Sequence, residues 1–333
     1  MGGLSPRVFI SIVVVSLVVL VALLVAVSLQ PSSKEYNPVE YGMLNLAVDD
    51  FSYCLQYDEF SSRADAVSQL SSSEYDLLIL DAYYSCSHEE GRWTANEIAS
   101  MNSSSSPKVL LCYVSIGEAE DYRTYWNQNW DADDDGVPDA GAPEWLDEEN
   151  AEWEGNYKVK YWLPGWQQVI FGSVDSYVDK ALLQGFSGVY LDLIDAYEYY
   201  EQKGDPTAGQ RMVDFVSALS HYSKSKNPNF LVVPQNGEAL ATYPGYLDRI
   251  DGIGREDILY TGDLRNSQSE IDDAEKYLSM FQSANKFVLE VEYPTWNSRI
   301  DACYEYAAEQ GYLCSVCPID LDTIQVNDGY EPD

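Results

Sequence analysis

The sequence alternates between short β-branched apolar runs and amphipathic stretches, and this alternation restricts the possible folds more than any other feature. The apolar runs are eight predicted strands: Phe51–Gln56, Asp76–Ala82, Val109–Gly117, Gly188–Asp195, Phe230–Gly237, Ile250–Gly254, Phe287–Val291 and Tyr312–Pro318. Amphipathic segments that are typical of helices occupy residues 62–70, 94–101, 166–184, 207–225, 239–247, 267–284 and 299–310. Strands that alternate with helices form parallel βαβ units. Eight such units within residues 41–325 predict an α/β fold, the (β/α)8 TIM barrel, followed by a short tail at 326–333.

Composition and missing motifs exclude several classes of protein. A doubly wound open sheet would share the alternation, but no GxGxxG or GxxxxGK(S/T) segment opens a predicted helix, which disfavours a nucleotide-binding sheet. The chain has 19 Lys and Arg residues against 55 Asp and Glu residues, a net charge of −36. A chain this acidic repels a phosphate backbone, so nucleic acid is excluded as a partner.

Acidic residues stand at or just after the ends of most predicted strands. The active site of a TIM barrel lies at the C-terminal ends of its strands, so these acids are candidates for catalysis. They are Asp81, Glu118, Asp192, Asp195, Glu238, Glu256, Asp257, Glu290, Glu292 and Asp320. The chain also has 27 Tyr and 8 Trp residues. A cleft lined with carboxylates and aromatic rings suits a sugar, because carboxylates supply the acid, base and nucleophile of glycoside hydrolysis.

Strand alternation selects two of these acids. Within the run Gly188–Asp192, Tyr190 and Asp192 share one face, so Asp192 is predicted to point inward at the barrel mouth. The same parity on the next predicted strand brings Asn236 and Glu238 to a neighbouring position. Carboxylates on adjacent strand ends can reach the separation of roughly 5–5.5 Å found in retaining enzymes. We therefore predict Asp192 and Glu238 as a catalytic pair, with Asp192 as nucleophile and Glu238 as general acid/base or with the two roles reversed.

Five segments around these residues carry a family resemblance. They are Tyr113–Arg123, Gly155–Trp162, Gly185–Tyr197, Val232–Glu238 and Gly252–Asp257. Over residues 51–320 the chain resembles glycoside hydrolase family 114, the endo-α-1,4-polygalactosaminidase family, in its prokaryotic branch. The resemblance implies a (β/α)8 barrel that cleaves amino-sugar polymers, with Asp192 and Glu238 as the catalytic carboxylates. Characterised members have a Pro-Asp-Asn-Val-Asp-Gly-Tyr type of segment where this chain has Leu191–Tyr197, so the chemistry carries over more directly than the sugar.

These observations give the hypothesis of a glycoside hydrolase that cleaves an amino-sugar polysaccharide, with α-1,4-linked galactosaminan as the first candidate, by a retaining mechanism. We expect no cofactor for catalysis. The predicted substrate-binding residues are Asp81, Tyr113, Glu118, Trp162, Tyr190, Asp195, Asn236, Arg255, Glu256 and Glu292. The alternative is a non-catalytic carbohydrate-binding or cell-envelope structural protein on a barrel scaffold. Retention of both carboxylates in otherwise intact motifs argues against it.

A long insertion at residues 121–164 separates the third predicted strand from the fourth. Its tryptophans either line a glycan cleft over the barrel mouth or form the insertion's own small core. They are Trp126, Trp130, Trp145, Trp153 and Trp162.

The same insertion contains an acidic loop that could bind a structural Ca²⁺. Asp131, Asp133, Asp135 and Asp139 have the D-x-D-x-D-G spacing in which alternate carboxylates converge on one ion. Ala142 stands at the twelfth position, where an EF-hand has a bidentate Glu, so the loop resembles shorter Asp-rich calcium loops. A solvated acidic turn is the alternative.

The N-terminal region contains an apolar run of 22 residues, Val8–Leu29. As a helix it would be roughly 33 Å long, the thickness of a bilayer core. Residues 1–30 are therefore predicted to be a membrane anchor or, if cleaved, a signal peptide, and residues 31–40 a linker. Because Arg7 precedes the run and acidic sequence follows it, the remaining chain is expected to be extracytoplasmic, either secreted or anchored to the cell membrane.

Four of the six cysteines carry a prediction. An extracytoplasmic domain permits disulfides, and Cys303, Cys314 and Cys317 fall close together near the C-terminus, which favours a local disulfide among them. Cys112 lies inside an apolar run and is predicted to be a buried, inert thiol.

Overall fold

Eight parallel strands form the centre of the molecule in a computed structural model, which describes residues 39–40, 47–102 and 107–332. They are β1 Phe51–Cys54, β2 Leu77–Asp81, β3 Val109–Ser115, β4 Gly188–Asp192, β5 Leu231–Pro234, β6 Gly252–Glu256, β7 Phe287–Glu292 and β8 Leu313–Val316. Two parallel groups are hydrogen-bonded in the orders β5-β4-β3-β2-β1 and β6-β7-β8. A parallel bridge between Gln235 and Gly254 joins β5 to β6. The arrangement is barrel-like, and each observed strand coincides with a predicted run.

Helices cover the outside of the strands. The α-helices of the described residues are α1 Arg63–Ser72, α2 Ala95–Met101, α3 Pro164–Ile170, α4 Tyr177–Gln184, α5 Ala196–Gln202, α6 Ala208–Lys226, α7 Gln268–Ser283 and α8 Asn297–Gln310. Side chains set some of their starts: Ser267 and Glu270 form a reciprocal capping box at α7, as Thr94 and Glu97 do at α2.

Two helix predictions differ from the structure, and one helix was not predicted. The predicted helix at 166–184 is divided into α3 and α4, with Gly172 between them at φ 102°. The predicted helix at 239–247 is only the short 3-10 segment Glu238–Thr242, because Pro244 and Gly245 follow and Gly245 has a φ of 81°. Helix α5, immediately after β4, was not predicted.

Strand alternation separates an inner from an outer layer. Tyr190 and Tyr53 belong to the cluster inside the barrel, with ring centroids 5.4 Å apart, whereas Val189 and Leu191 pack with the helices. Inside the barrel, Gly254 faces Tyr190 so closely that a Cβ on Gly254 would lie 1.8 Å from the Tyr190 hydroxyl oxygen. The absence of a side chain at Gly254 therefore lets β6 lie against this ring.

The insertion folds as a small antiparallel sheet, in which Asn156–Val159 pairs with both Glu118–Glu120 and Leu146–Glu149. Trp130 lies between Trp126 and Trp145, with ring centroids 5.2 and 5.3 Å away. The Trp145 ring in turn lies 4.9 Å from that of Trp166 in α3. These tryptophans thus form the insertion's own core, which is one of the two predicted alternatives. Trp153 is exposed.

The predicted tail packs against the barrel. Asn327 Nδ2 donates a 2.8 Å hydrogen bond to the carbonyl oxygen of Val316 at the end of β8. The Tyr330 ring stacks on that of Tyr304 in α8, with centroids 4.0 Å apart. Residues 327–330 are therefore part of the folded unit.

The predicted anchor or signal segment at residues 1–30 and the linker up to residue 38 lie outside the described residues. Within the described part of the chain, no helix combines the length and the apolar character needed to cross a membrane.

The predicted disulfide near the C-terminus is not formed, because Cys303, Cys314 and Cys317 are all free thiols. Alternation along β8 turns Cys314 away from the barrel interior, whereas Cys317 packs inside it, so these two thiols lie on opposite faces of the sheet. Cys112 is a fully buried free thiol, as predicted.

Candidate active site

Asp192 ends strand β4 and points into the mouth of the barrel, as strand alternation predicts. The Tyr113 hydroxyl donates a 2.7 Å hydrogen bond to its Oδ2, and the backbone N–H of Leu193 donates one of 2.7 Å to Oδ1. Burial, followed by the negative charge of Glu256, raises the pKa of Asp192 to about 8. Both effects favour the protonated form of Asp192.

Glu256 ends strand β6 and is held by three side-chain donors. Asn236 Nδ2 donates to its Oε2 at 3.0 Å, and Gln235 Nε2 donates to the same oxygen. The Tyr293 hydroxyl donates to Oε1. Three donors satisfy both carboxylate oxygens and fix the orientation of the side chain. Glu256, predicted as a substrate-binding residue, is thus held in one position at the end of β6.

Asp192 and Glu256 form one electrostatic site. Burial raises the pKa values of Tyr53 and Tyr190 well above their usual range, and the charges of both Asp192 and Glu256 raise them further. The strand register also places these two acids at the same end of the barrel. Leu191 of β4 pairs with Pro234 of β5, so Asp192 lies opposite Gln235 across the two strands. Gln235 in turn bridges to Gly254, so Glu256 lies two residues further along β6 and on the same inward face as Gly254.

Glu238 does not follow the strand parity on which its prediction rested. Asn236 and Gly237 both have a φ of 61°, so the chain turns out of the extended conformation immediately after Gln235. Glu238 Oε1 instead accepts a 3.1 Å hydrogen bond from Arg255 Nε. Arg255 also donates to Asn236 Oδ1 at 3.4 Å and to the backbone oxygen of Glu256. The structure therefore pairs Glu238 with a cation and brings Glu256 to Asp192.

Two predicted substrate-binding acids are buried in structural contacts. Asp81 is 2% exposed, and its Oδ2 forms an ion pair with Arg123 Nη1 at 2.7 Å. This ion pair ties the start of the insertion to β2. Glu118 is 5% exposed, accepts a hydrogen bond from Asn150 at 2.9 Å and lies 3.6 Å from Lys158 Nζ. Both acids stabilise the insertion rather than line the cleft.

Glu292 is also buried, and it lies beside a second buried acid, Glu290. Its two oxygens accept backbone N–H groups of Leu259 at 2.6 Å and Tyr260 at 3.1 Å, which fixes the loop after β6. Burial raises the pKa of Glu292 to about 7 and that of Glu290 well above its usual range, with the charge of Glu292 adding to the second shift. This pair supports a loop and does not face substrate.

Two of the predicted aromatic residues also make structural contacts. Tyr190 is fully buried inside the barrel, two residues before Asp192 on β4. Trp162 packs against Tyr200, with centroids 4.8 Å apart, and the Arg211 guanidinium lies 4.6 Å from its ring centroid. Tyr113 remains in the site through its bond to Asp192.

Further acids surround the pair. Burial, and next the charge of Glu198, raises the pKa of Asp195 to about 6, and Asp195 in turn adds to the raised pKa of Asp192. Burial, and next the charge of Glu256, raises the pKa of Asp257 to about 6. The mouth of the barrel is therefore strongly electronegative, with Asp195 where the sequence predicts it.

The acidic loop brings together three of its four predicted calcium ligands. Carboxylate oxygens of Asp131, Asp133 and Asp139 lie within 4.8 Å of one another. Asp135 instead uses its Oδ1 to accept the backbone N–H of Val137 at 3.0 Å. Asp131 Oδ2 already accepts a 2.7 Å hydrogen bond from the Tyr157 hydroxyl, which ties the loop to the insertion sheet.

Sequence reasoning missed the residues that orient Glu256. Glu256 accepts hydrogen bonds directly from Gln235 and Tyr293, and Tyr53 in turn donates to Gln235. None of these three residues was predicted as functional. Gln235 lies inside the segment Val232–Glu238 that carries the family resemblance, so that segment held the signal.

A barrel-like α/β fold with a pair of partly buried carboxylates at its strand ends is an arrangement that glycoside hydrolases use. The sequence model of glycoside-hydrolase family GH114 matches residues 50–330, and the chain belongs to this family. Glycoside hydrolases generally need no cofactor, so the chemistry falls to side chains of the chain itself.

Two relatives and one solved structure are similar to this chain. A protein of Methanocaldococcus jannaschii is 34% identical over 274 residues, covering 78% of this chain and 75% of the relative. One of Thermotoga maritima is 33% identical over 298 residues, covering 85% of both chains. The glycoside hydrolase domain of PelA from Pseudomonas aeruginosa has a similar fold, with a TM-score of 0.56 and 16% identity, over 84% of this chain and 98% of that one.

Proposed function

We propose that this glycoside hydrolase cleaves an amino-sugar-containing polysaccharide, with α-1,4-linked galactosaminan as the first candidate, and that Asp192 and Glu256 are its catalytic carboxylates. The observation that carries the proposal is the position of the two acids at strand ends on the inward face, where the negative charge of Glu256 adds to the burial that raises the pKa of Asp192. This assignment replaces Glu238 with Glu256, because Glu238 is paired with Arg255.

The pair meets the protonation requirement of a retaining two-carboxylate mechanism. At neutral pH one acid carries a proton, which burial and the charge of Glu256 hold on Asp192 in the free protein. In the first step the ionised carboxylate attacks the anomeric carbon, while the protonated one gives its proton to the departing glycosidic oxygen. In the second step the deprotonated acid takes a proton from water, and the water oxygen displaces the enzyme carboxylate.

The electronegative mouth supports a cationic sugar. Asp195, Glu198 and Asp257 surround the pair, and the charges of neighbouring acids contribute to the raised pKa values of Asp195 and Asp257. A sugar ammonium group would relieve this repulsion, whereas an anionic sugar would increase it. The net charge of −36 extends the same preference over the whole molecule.

We also propose that the enzyme acts outside the cytoplasm, attached to the membrane through residues 8–29 where these are not cleaved. A polymer too large to enter a cell is degraded outside it, and the apolar run Val8–Leu29 supports export. Protease shaving of intact cells tests this proposal. We expect loss of the domain while a cytoplasmic marker survives, and equal protection of both would contradict it.

Hydrolysis of galactosaminan, followed by mass spectrometry of the products, tests the proposed reaction. Asp192→Asn and Glu256→Gln should each lower the rate by about 10²–10⁴-fold without loss of the folded state, because each removes one partner of the acid/base and nucleophile pair. Glu238→Gln is the matched control: the same chemical change in the 3-10 segment after β5 should leave most of the activity.

Two outcomes would overturn the proposal in different ways. Loss of activity in Glu238→Gln with retention in Glu256→Gln would return the second carboxylate to Glu238. Cleavage of neutral or fully N-acetylated polymers, with none of galactosaminan, would leave the catalytic pair intact but refute the cationic substrate.

A further inference from the structure

A hydrogen-bonded relay crosses the barrel interior to Glu256. The Tyr53 hydroxyl on β1 donates a 3.0 Å hydrogen bond to Gln235 Oε1, and Gln235 Nε2 donates to Glu256 Oε2 on β6. Tyr53 and Gln235 are 1% and 2% exposed, so neither is reached by substrate. The backbone N–H of Gln235 also donates to the Leu191 oxygen at 2.7 Å, which fixes its position beside β4.

The direction of the relay follows from the surroundings of Glu256. Its Oε2 also accepts from Asn236, and its Oε1 from Tyr293, so the carboxylate is surrounded by donors. A Gln235 amide turned the other way would present its oxygen to this carboxylate, and two acceptors would face each other. Tyr53 opposes that turn, because its hydroxyl donates to the amide oxygen and leaves only the NH₂ group to face Glu256.

We propose that Gln235 is a positioning residue for Glu256, and that Tyr53 fixes the amide orientation that this role requires. The inference rests on the proposed catalytic role of Glu256 and adds two residues that do not touch substrate. The relay keeps the carboxylate in one orientation before a sugar binds. Such prior orientation lowers the cost of reaching the transition state.

Three variants test the relay on galactosaminan. Gln235→Met keeps the length and volume of the side chain but removes both hydrogen bonds, and should lower kcat by about 10–100-fold with little change in KM, the range expected for a bond to a charged group. Tyr53→Phe should act in the same direction but less. Tyr246→Phe is the control, since it removes a buried hydroxyl that has no hydrogen-bond partner among the described residues.

The pH dependence of kcat separates positioning from a merely structural role. Loss of a donor disfavours the ionised form of a carboxylate. In Gln235→Met and Tyr53→Phe, the part of the pH profile that reflects proton loss from the catalytic pair should therefore move to higher pH. The proposal is overturned if both variants are folded and keep the kcat and pH profile of the wild type within about twofold. It is also overturned if only KM rises, which would indicate a ground-state contact with substrate.

Asp192→Asn and Glu256→Gln distinguish failure of the relay from failure of the function. If these two are inactive while the relay variants behave as wild type, the catalytic pair stands and the relay is refuted. If these two retain wild-type activity, the proposed function has failed and the relay has no catalytic group to position.

Discussion

The Tyr113 hydroxyl lies 2.7 Å from Asp192 Oδ2 and donates its proton to that oxygen. The two residues stand on neighbouring strands, and Tyr113 pairs in register with Tyr190, two residues before Asp192. This hydrogen bond lowers the pKa of Asp192, whereas burial and the charge of Glu256 raise it to about 8. Tyr113 therefore moderates the shift that keeps Asp192 protonated.

The first prediction concerns the pH dependence of catalysis. The pair must carry one proton, so kcat/KM should fall as the pH rises through about 8, the pKa of Asp192. Tyr113→Phe removes a donor to the ionised form and should move this alkaline limb to higher pH. Tyr246→Phe should leave it in place. Rates across pH 5–10 measure the limb, and an unchanged or lower midpoint in Tyr113→Phe would contradict the prediction.

The second prediction concerns the two carboxylate roles. On an activated substrate, azide should rescue both Asp192→Asn and Glu256→Gln, because the small anion replaces a different missing group in each. The variant that lacks the acid/base should give a glycosyl azide of retained configuration, and the variant that lacks the nucleophile one of inverted configuration. NMR of the anomeric proton distinguishes the two products. The same anomer from both variants would be inconsistent with a retaining pair.

The third prediction is that the buried pair Glu290 and Glu292 makes the fold less stable at higher pH. In the folded state the pKa of Glu290 is raised well above its usual range, and that of Glu292 to about 7. Between the ordinary carboxyl pKa and these raised values the folded chain binds more protons than the unfolded chain. The free energy of unfolding therefore falls as the pH rises through this window.

Glu290→Gln keeps a donor for Glu292 but removes one titration, so its melting temperature should fall less between pH 5 and pH 8 than that of the wild type. Glu309→Gln, an exposed change on α8, is the control and should follow the wild type. Parallel melting curves for all three proteins would refute the prediction.

The fourth prediction concerns the buried ion pair between Arg123 and Asp81. Arg123 also donates from Nε to Glu120 Oε2 at 2.6 Å. Arg123→Met leaves both acids buried without their cation, which should cost about 3–5 kcal/mol of unfolding free energy. Lys203→Met, which breaks an exposed pair with Glu148, should change the unfolding midpoint little. Urea titration compares the variants, and equal midpoints would show that the buried pair adds no stability.

The fifth prediction concerns calcium. If Asp131, Asp133 and Asp139 bind Ca²⁺ in the folded state only, added Ca²⁺ should raise the melting temperature and a chelator should lower it. Asp133→Ala should abolish the difference, whereas Asp175→Ala, an exposed acid elsewhere, should not. Identical wild-type curves with calcium and with chelator would support the solvated turn.

The sequence predicted the fold more completely than the site. Apolar runs located every barrel strand, and alternation correctly turned Asp192 inward. The parity argument failed after Gln235, because Asn236 and Gly237 adopt left-handed conformations that end the strand. An Asn-Gly pair is a turn signal, and strand periodicity does not extend through one.

The buried acids were mistaken for cleft residues for a different reason. Asp81 and Glu292 stand at strand ends, as catalytic acids do, but their partners Arg123 and Leu259 lie 42 and 33 residues away in sequence. Pairings over such separations arise from the tertiary fold. The position of an acid at a strand end therefore identified candidates for the active site. Only the contacts in the folded structure distinguished acids with a structural role from Glu256.

The contact between Gly254 and Tyr190 carries an evolutionary consequence. A single methyl group at position 254 would occupy the space of the Tyr190 hydroxyl, so position 254 cannot gain a side chain while Tyr190 stays in place. Among descendants of this chain, a larger residue at 254 should occur only with a smaller one at 190. The two positions should thus covary, and any lineage that escapes the constraint should also show an altered spacing between its catalytic strands.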